Sequence, residues 1–182
     1  MLDVFIQRFV DAFSPEVDTS SGRAGALRAG AGIRMFSPLL SSAYEAVSLT
    51  FSGRMMNEPR IESAGMKLYP RVLRSLQDAL FDPERSRAEA TLITVVLLLA
   101  FESIERTSQT GVTAHVRGAT QLIRHRGPES HMYGVEHLLF TELRPYWVRK
   151  PLISPIRDVQ GADMVWPINR YLAVLSIVKL FS

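Results

Sequence analysis

Apolar residues recur at three- and four-residue spacing along most of the chain, which is the period of an amphipathic α-helix. The first stripe includes Phe5, Phe9 and Phe13, and Ser14-Pro15 follows it as a stop. Residues 20–32 are rich in Gly, Ala, Ser and Arg and carry no apolar stripe. The pattern therefore predicts one N-terminal helix followed by a mobile connector outside the core.

A second helix is predicted to begin at Ser37-Pro38, because serine caps helix N-termini and proline is tolerated at the first helical position. Gly53 is predicted to close it. A third helical segment extends from about Pro59 to Leu80, with a kink or break expected at Pro70, which has no amide hydrogen to donate. The expected buried positions of these two helices are Leu40, Tyr44, Val47, Phe51, Val72, Leu73, Leu76 and Leu80.

The most apolar segment of the chain follows a predicted turn at Asp82-Pro83-Glu84. Ser86 and Glu89 have the spacing of a capping box, so a helix is expected from Arg87 to about Glu102. Residues 92–101 are apolar on every face, which predicts a central, fully buried helix. Its β-branched residues would also suit a central strand, but strand partners are lacking and helical signals bound the segment.

The last part of the chain contains two further predicted helices. After a polar loop at residues 108–111, the stripe of Val112, Val116, Ala119 and Ile123 ends at Gly127-Pro128, a strong helix stop. The next helix is marked by Val135, Leu138, Leu139 and Leu143 and ends near Pro145. Residues 148–167 show no periodicity, and residues 171–181 would form a last short helix. The sequence thus predicts an all-α fold, an irregular helical bundle or array of about six to eight helices.

Composition narrows the class of protein. With 47% hydrophobic and 21% charged residues, the chain resembles a soluble globular domain and not a disordered one. It has no cysteine, which excludes disulfides and thiolate metal sites within these 182 residues. Charges at Asp3, Arg8 and Asp11 argue against a signal peptide, so an intracellular location is expected. A net charge of +3 is too small to predict nucleic-acid binding.

Candidate chemistry is sparse. No catalytic residues, no cofactor site and no phosphate loop are predicted, because the serine elbow and Gly-rich patterns of those sites are absent from the sequence. A metal site is not expected either: six-residue steps place histidines on different faces of a helix. The four histidines are His115, His125, His131 and His137. Glu102 and Arg106 are predicted to form a solvated ion pair.

The basic run of the penultimate predicted helix has two readings. Its residues could contact phosphate, but cations in the last turn of a helix are also expected from the helix dipole, and the structural reading is favoured. The run comprises His115, Arg117, Arg124, His125 and Arg126.

One ordered series of motifs resembles a known family. Leu-Leu-Leu-Ala-Phe-Glu at 97–102 is followed by a short polar loop and by Thr-Ala-His-Val-Arg-Gly-Ala-Thr-Gln-Leu-Ile-Arg-His-Arg-Gly-Pro at 113–128. This series, with Leu68-Tyr69, Leu73 and Leu76-Gln77 before it and Leu139-Phe140 and Leu143-Arg144 after it, resembles the regulatory domain of fungal binuclear zinc-cluster transcription factors. The resemblance covers about residues 36–147.

The resemblance implies a domain organisation. Residues 36–147 would form the helical regulatory domain, residues 1–35 an N-terminal helix and connector, and residues 148–182 an irregular tail with a short terminal helix. The six-cysteine zinc cluster that precedes this domain in the family is absent here, and the helical region is expected to be truncated at its C-terminal side. The motif residues are expected to be architectural: His115, Arg117, Gly118, Ala119, Leu122, Ile123, Arg126, Gly127 and Pro128.

The function implied is transcription regulation, without enzymatic activity. The location implied by the resemblance is the fungal nucleus, and otherwise the cytoplasm is expected. The expected partners are other proteins, either transcription machinery or a homologous regulator, and a homodimer is one possible assembly. Direct DNA binding and membrane association are not expected. Two alternatives stay open: a free-standing protein-interaction module, and a truncated family member without function. A helical enzyme or small-molecule binder would need inward-facing acidic or histidine ligands, which the sequence does not offer.

Overall fold

The computed structural model describes residues 2–13, 25–105 and 109–140, and within these ranges it is helical and contains no strand. The predicted all-α fold is therefore confirmed. In chain order the elements are α1 (Leu2–Phe13), α2 (Ala26–Ile33), a 3-10 turn (Arg34–Phe36), α3 (Pro38–Met55), α4 (Pro59–Phe81), α5 (Pro83–Arg87), α6 (Glu89–Glu105), α7 (Gln109–Arg126) and a second 3-10 turn (Pro128–His131). Residues 134–140 are again helical.

Helices α3 and α6 form the centre of the array. α3 packs against α1, α4 and α6, and α7 packs against α6. Every residue of α6 from Thr91 to Leu99 is buried, as expected for a helix that is apolar all round. The core residues of α1 and α2 belong to the same apolar cluster as those of α3, α4, α6 and α7.

Helices α3 and α4 approach each other closely at two glycines. A Cβ atom at Gly65 of α4 would lie 2.6 Å from the carbonyl oxygen of Ala46 in α3. A Cβ atom at Gly53 of α3 would overlap the backbone of Glu62 in α4. The prediction that Gly53 closes α3 is therefore wrong: the helix continues to Met55, and the glycine is needed because the start of α4 comes so close.

The predicted connector at residues 20–32 is also partly wrong. Residues 26–33 form α2, whose buried residues Ala26, Leu27 and Gly30 lie on the core. The hydroxyl of Tyr44 donates a hydrogen bond of 2.6 Å to the carbonyl oxygen of Leu27. Small residues let α2 approach α3 and α6 closely, so the segment packs without the large apolar stripe that periodicity detects.

Local predictions at the helix ends fared unevenly. The N-cap at Ser37 is confirmed, since its hydroxyl accepts a hydrogen bond from the amide of Leu40 at 3.3 Å. The capping box of Ser86 with Glu89 does not form, because Ser86 lies inside α5 and donates to the carbonyl oxygen of Pro83. Helix α4 is continuous through Pro70, so no break occurs there.

Some predictions fall on residues that the structure does not describe. These are the last part of the helix ending near Pro145, the irregular segment 148–167 and the short helix at 171–181. None of the helices described is both long and apolar enough to cross a membrane.

Candidate functional site: a buried polar junction

Three helices each contribute one polar side chain to a junction inside the apolar core. Tyr69 lies in α4, Glu102 near the end of α6 and His115 in α7. Their exposed fractions are 8%, 2% and 0%, so all three are withdrawn from water. Because burying a carboxylate or an imidazole is costly unless it is hydrogen-bonded, the contacts within this junction decide whether the helices can pack here.

Tyr69 is the centre of the junction. Its hydroxyl donates a hydrogen bond to Oε1 of Glu102, and the same hydroxyl oxygen lies 3.2 Å from Nε2 of His115. A hydroxyl carries one proton and a carboxylate only accepts. The Tyr69 oxygen must then accept its second bond from an Nε2–H group of His115, which fixes the tautomer of that ring.

Burial also fixes the charge of His115. Desolvation lowers the pKa of His115 to about 3, so the imidazole is neutral at any physiological pH. A neutral ring with its proton on Nε2 is the form that the hydrogen bond to Tyr69 requires. The electrostatics and the hydrogen-bond geometry therefore agree.

Two apolar or small neighbours shape the junction. The ring of Phe101 stacks on that of Tyr69, with centroids 4.2 Å apart and planes 10° apart. A Cβ atom at Gly111, in the first turn of α7, would lie 2.7 Å from Oε2 of Glu102. The carboxylate thus lies against the start of α7, where the helix dipole favours negative charge.

A second polar cluster ties together the helix ends next to this junction. Nη2 of Arg54, at the end of α3, lies 3.0 Å from Glu62 of α4 and 3.2 Å from Glu105 of α6. Its Nη1 donates to the carbonyl oxygen of Ile104. Burial raises the pKa of Glu105, and the Arg54 guanidinium opposes that shift. The cluster closes the same end of α3, α4 and α6.

The other predicted motif residues lie around the C-terminal half of α7. Arg117 is exposed, whereas Gly118, Ala119, Leu122 and Ile123 are buried. Their architectural role stays a prediction.

The end of α7 is a sharp turn. Gly127 has a φ of +81°, a conformation that favours glycine, and Pro128 begins the second 3-10 turn. Arg126 is buried beside Glu136 and forms an ion pair with it. Its Nε and Nη1 have no hydrogen-bond partner.

The histidines do not converge on a metal site. His115 faces Tyr69, and Nε2 of His131 lies 3.1 Å from the carbonyl oxygen of Ile123. Within the described ranges no group of three or more His, Asp or Glu residues could hold a metal ion. The basic run of α7 is likewise split, because His115 is buried and Arg126 faces Glu136 while Arg117 and Arg124 face solvent.

The sequence-based prediction for one residue of this junction, Glu102, is wrong. Glu102 was assigned to a solvated ion pair with Arg106, but it is buried and bonded to Tyr69. Arg106 lies outside the described residues. The available signal was the spacing: Glu102 follows Val95 and Leu98 on one stripe of α6, and both of those residues are fully buried.

The geometry defines an all-helical domain whose distinctive polar residues are buried between helices. Comparison with known proteins identifies the class more closely. A family model described as "fungal specific transcription factor domain" matches residues 5–144. The chain belongs to this family, and the resemblance inferred from the motifs is confirmed. Tyr69, Glu102 and His115 all fall inside the matched range.

Similarity to individual proteins is more limited. An uncharacterized protein of Emericella nidulans is 24% identical to the chain over 112 residues. The matched region covers 62% of this chain and 24% of that relative, so the chain corresponds to about a quarter of the relative's length. No solved structure matches the chain.

Proposed function

We propose that this chain is the regulatory part of a transcription regulator, and that it acts through protein contacts without reading DNA itself. The observation that carries the proposal is the family match, which spans residues 5–144. A role in transcription regulation follows from the family, and a nuclear location is proposed with it.

The buried junction supports a structural use of the motif residues. Tyr69, Glu102 and His115 satisfy one another inside the core, and neither a substrate nor a partner can reach a side chain that is at most 8% exposed. Function then depends on the outer surface of the array, as in a domain that presents helices to other proteins. This supports the proposal that the chain is not an enzyme.

Charge supports the absence of DNA reading. The chain carries a net charge of +3 and no cysteine with which to build a zinc cluster. Proteins that bind DNA through phosphates neutralise several of them with clustered cations. The basic residues of α7 do not form such a cluster, since His115 is buried and Arg126 faces Glu136. The proposed partners are transcription machinery, a homologous regulator or a second copy of the chain.

A tethering assay tests the proposal. The chain is fused to an unrelated DNA-binding domain, and transcription of a reporter with matching sites is compared with that from the DNA-binding domain alone. We expect the fusion to raise or lower reporter output. The control is the same fusion with His115→Asp, which should not fold because it places an unpaired charge in the core. This control should no longer change reporter output. Equal output from the fusion and the DNA-binding domain alone would contradict the proposal.

A free-standing interaction module is the second candidate. The 3-10 turn after α2 supports it, because Met35 and Phe36 are 74% and 81% exposed side by side, an unusual use of large apolar residues on a surface. In that case the untethered chain would alter the output of a homologous full-length regulator. The reporter assay distinguishes the two candidates. An interaction module that sequesters another regulator changes reporter output when it is expressed free, whereas a regulatory domain changes it only when it is tethered to DNA.

A further inference from the structure

An open surface pocket lies where the end of α4, the short helix α5 and the end of α7 meet. Its volume is about 420 Å³, within the size range of small binding sites. Leu80, Phe81 and Pro83 supply the apolar part of its wall, and Glu84, Arg87 and His125 supply polar groups. We call it the α5 pocket. It is separate from the buried junction.

The residues that the structure describes leave the apolar wall partly uncovered. Phe81, the last residue of α4, is 64% exposed, although the adjacent Leu80 is only 2% exposed. A large aromatic ring that faces water beside a concave apolar surface is an anchor point for a partner, because covering it removes apolar area from water. Aromatic side chains are also enriched among the residues that dominate protein interfaces.

The charge beside the wall is mainly positive. Arg87 lines the pocket, and Arg85 and Arg124 are exposed next to lining residues in sequence, against one lining carboxylate at Glu84. The neighbouring Asp82 carboxylate caps α5 by accepting from the amides of Glu84 and Arg85. Across the ranges that the structure covers, neither Arg87 nor Arg124 is engaged in an ion pair. These cations are available to an acidic partner, and complementary charge would orient it.

The shape of the pocket favours a protein segment over a small molecule. Small-molecule sites enclose most of the ligand surface, whereas the exposure of Phe81 leaves this pocket open on one side. A side chain carried on a protein needs only to insert, while its flanking residues lie over the rim.

We propose that the α5 pocket binds an apolar side chain flanked by acidic residues on a segment of a partner protein. The apolar side chain covers Phe81 and Leu80, and the acidic residues pair with Arg87 and the neighbouring cations. This inference rests on the proposed function and specifies the chemistry of the protein partner.

Fluorescence anisotropy with the full chain tests the pocket. The probes are labelled short peptides that place Phe, Leu or Trp between Asp and Glu residues at each register, with matched peptides in which Lys replaces the acids. We expect saturable binding of at least one acidic peptide, weakened by salt, and no binding of its Lys counterpart. Phe81→Ser and Arg87→Glu should each weaken binding about tenfold, a typical loss for a dominant interface residue.

Matched controls keep the test specific. Phe36→Ser removes another exposed phenylalanine, and Arg60→Glu reverses a charge at the opposite end of α4, about 30 Å away. Both should bind like the wild type, and circular dichroism should show all four variants folded, because these side chains are largely exposed. If either control variant lost as much peptide affinity as Phe81→Ser, the α5 pocket would not be the binding site.

Other results would overturn the proposal. One is the absence of binding by every acidic peptide; another is equal binding of the Lys peptides. Self-association of the chain that Phe81→Ser abolishes, seen by sedimentation without peptide binding, would assign the pocket to a second copy. The tethered reporter stays informative in each case, because a chain that regulates transcription but binds no acidic peptide refutes only the α5 pocket.

Discussion

At the scale of single residues, Tyr69 has the most demanding position in the molecule. Its hydroxyl serves a carboxylate and an imidazole at once, and its ring stacks on Phe101. A phenylalanine would keep the stacking and lose both hydrogen bonds. The hydroxyl therefore provides a direct way to measure how much the junction stabilises the fold.

Tyr69→Phe is expected to lower the free energy of unfolding by about 1–3 kcal/mol, because it removes one buried hydrogen bond from Glu102 and one from His115. Urea unfolding at pH 7 measures this. Tyr133→Phe removes the hydroxyl of a side chain that is 79% exposed and should change stability by less than about 0.5 kcal/mol. If the two variants were equally stable, the bonds at Tyr69 would contribute nothing.

His115 should make the fold sensitive to acid. Its pKa is lowered to about 3 in the folded chain by burial, whereas an unfolded histidine titrates near its ordinary value of 6.5. Below pH 6.5 the unfolded chain binds a proton that the folded chain does not, so stability falls as pH falls. Between pH 6 and pH 5 this one residue should remove about 1 kcal/mol.

The matched variant for that acid sensitivity is His115→Gln, whose side-chain amide can donate to Tyr69 but does not titrate. Its urea midpoint should fall less than that of the wild type between pH 6 and pH 5. Identical pH dependence in the two proteins would mean that His115 titrates alike in the folded and unfolded states.

Residue-level prediction from the sequence succeeded in part. Motif resemblance drew attention to His115 and to the acidic end of α6, but not to the contact between them, because α4, α6 and α7 meet only in three dimensions. The sequence-based prediction for Glu102 is wrong because it relied on the rule that charged residues are normally solvated. Here the helical spacing places Glu102 on the buried stripe of α6.

At the scale of helices, strong local signals predicted the elements well. Ser37-Pro38 begins α3, the apolar run forms the buried helix α6, and Gly127 ends α7. Errors arose where small residues matter through tertiary contacts. Helix α2 and Gly53 were misread because a glycine in close helix contact has the same sequence appearance as a glycine in a loop.

The contact between α3 and α4 yields a prediction at this scale. Gly65→Ala should destabilise the fold by about 1–3 kcal/mol, because the added methyl group would overlap Thr50 and the carbonyl oxygen of Ala46. The control is Gly32→Ala in α2, where nothing lies within 4 Å of the new Cβ. That substitution should stabilise the chain by about 0.5–1 kcal/mol through helix propensity.

Thermal unfolding of both glycine variants measures the difference. Opposite shifts in midpoint temperature are expected. A Gly65→Ala variant as stable as the wild type would refute the close approach of α3 and α4.

At the scale of the whole molecule, one apolar cluster joins α1 and α2 to the helices that follow. The all-α fold and the family were both predictable, because helical periodicity and an ordered motif series are present in the sequence itself. The α5 pocket was not, since its wall combines the junction of α4 and α5 with His125 of α7, which is distant along the chain.

Glu102 and His115 of the family motif form a buried junction with Tyr69, and we propose that regulation is left to the outer surface. The most direct test is nitrogen-15 NMR of the His115 ring in the full chain between pH 7 and pH 5, assigned with the His115→Gln variant. We expect a neutral ring with its proton on Nε2 and no titration across this range, because the pKa of His115 is about 3. Titration of the ring near pH 6.5 would mean that His115 is solvated, and the buried junction would be contradicted.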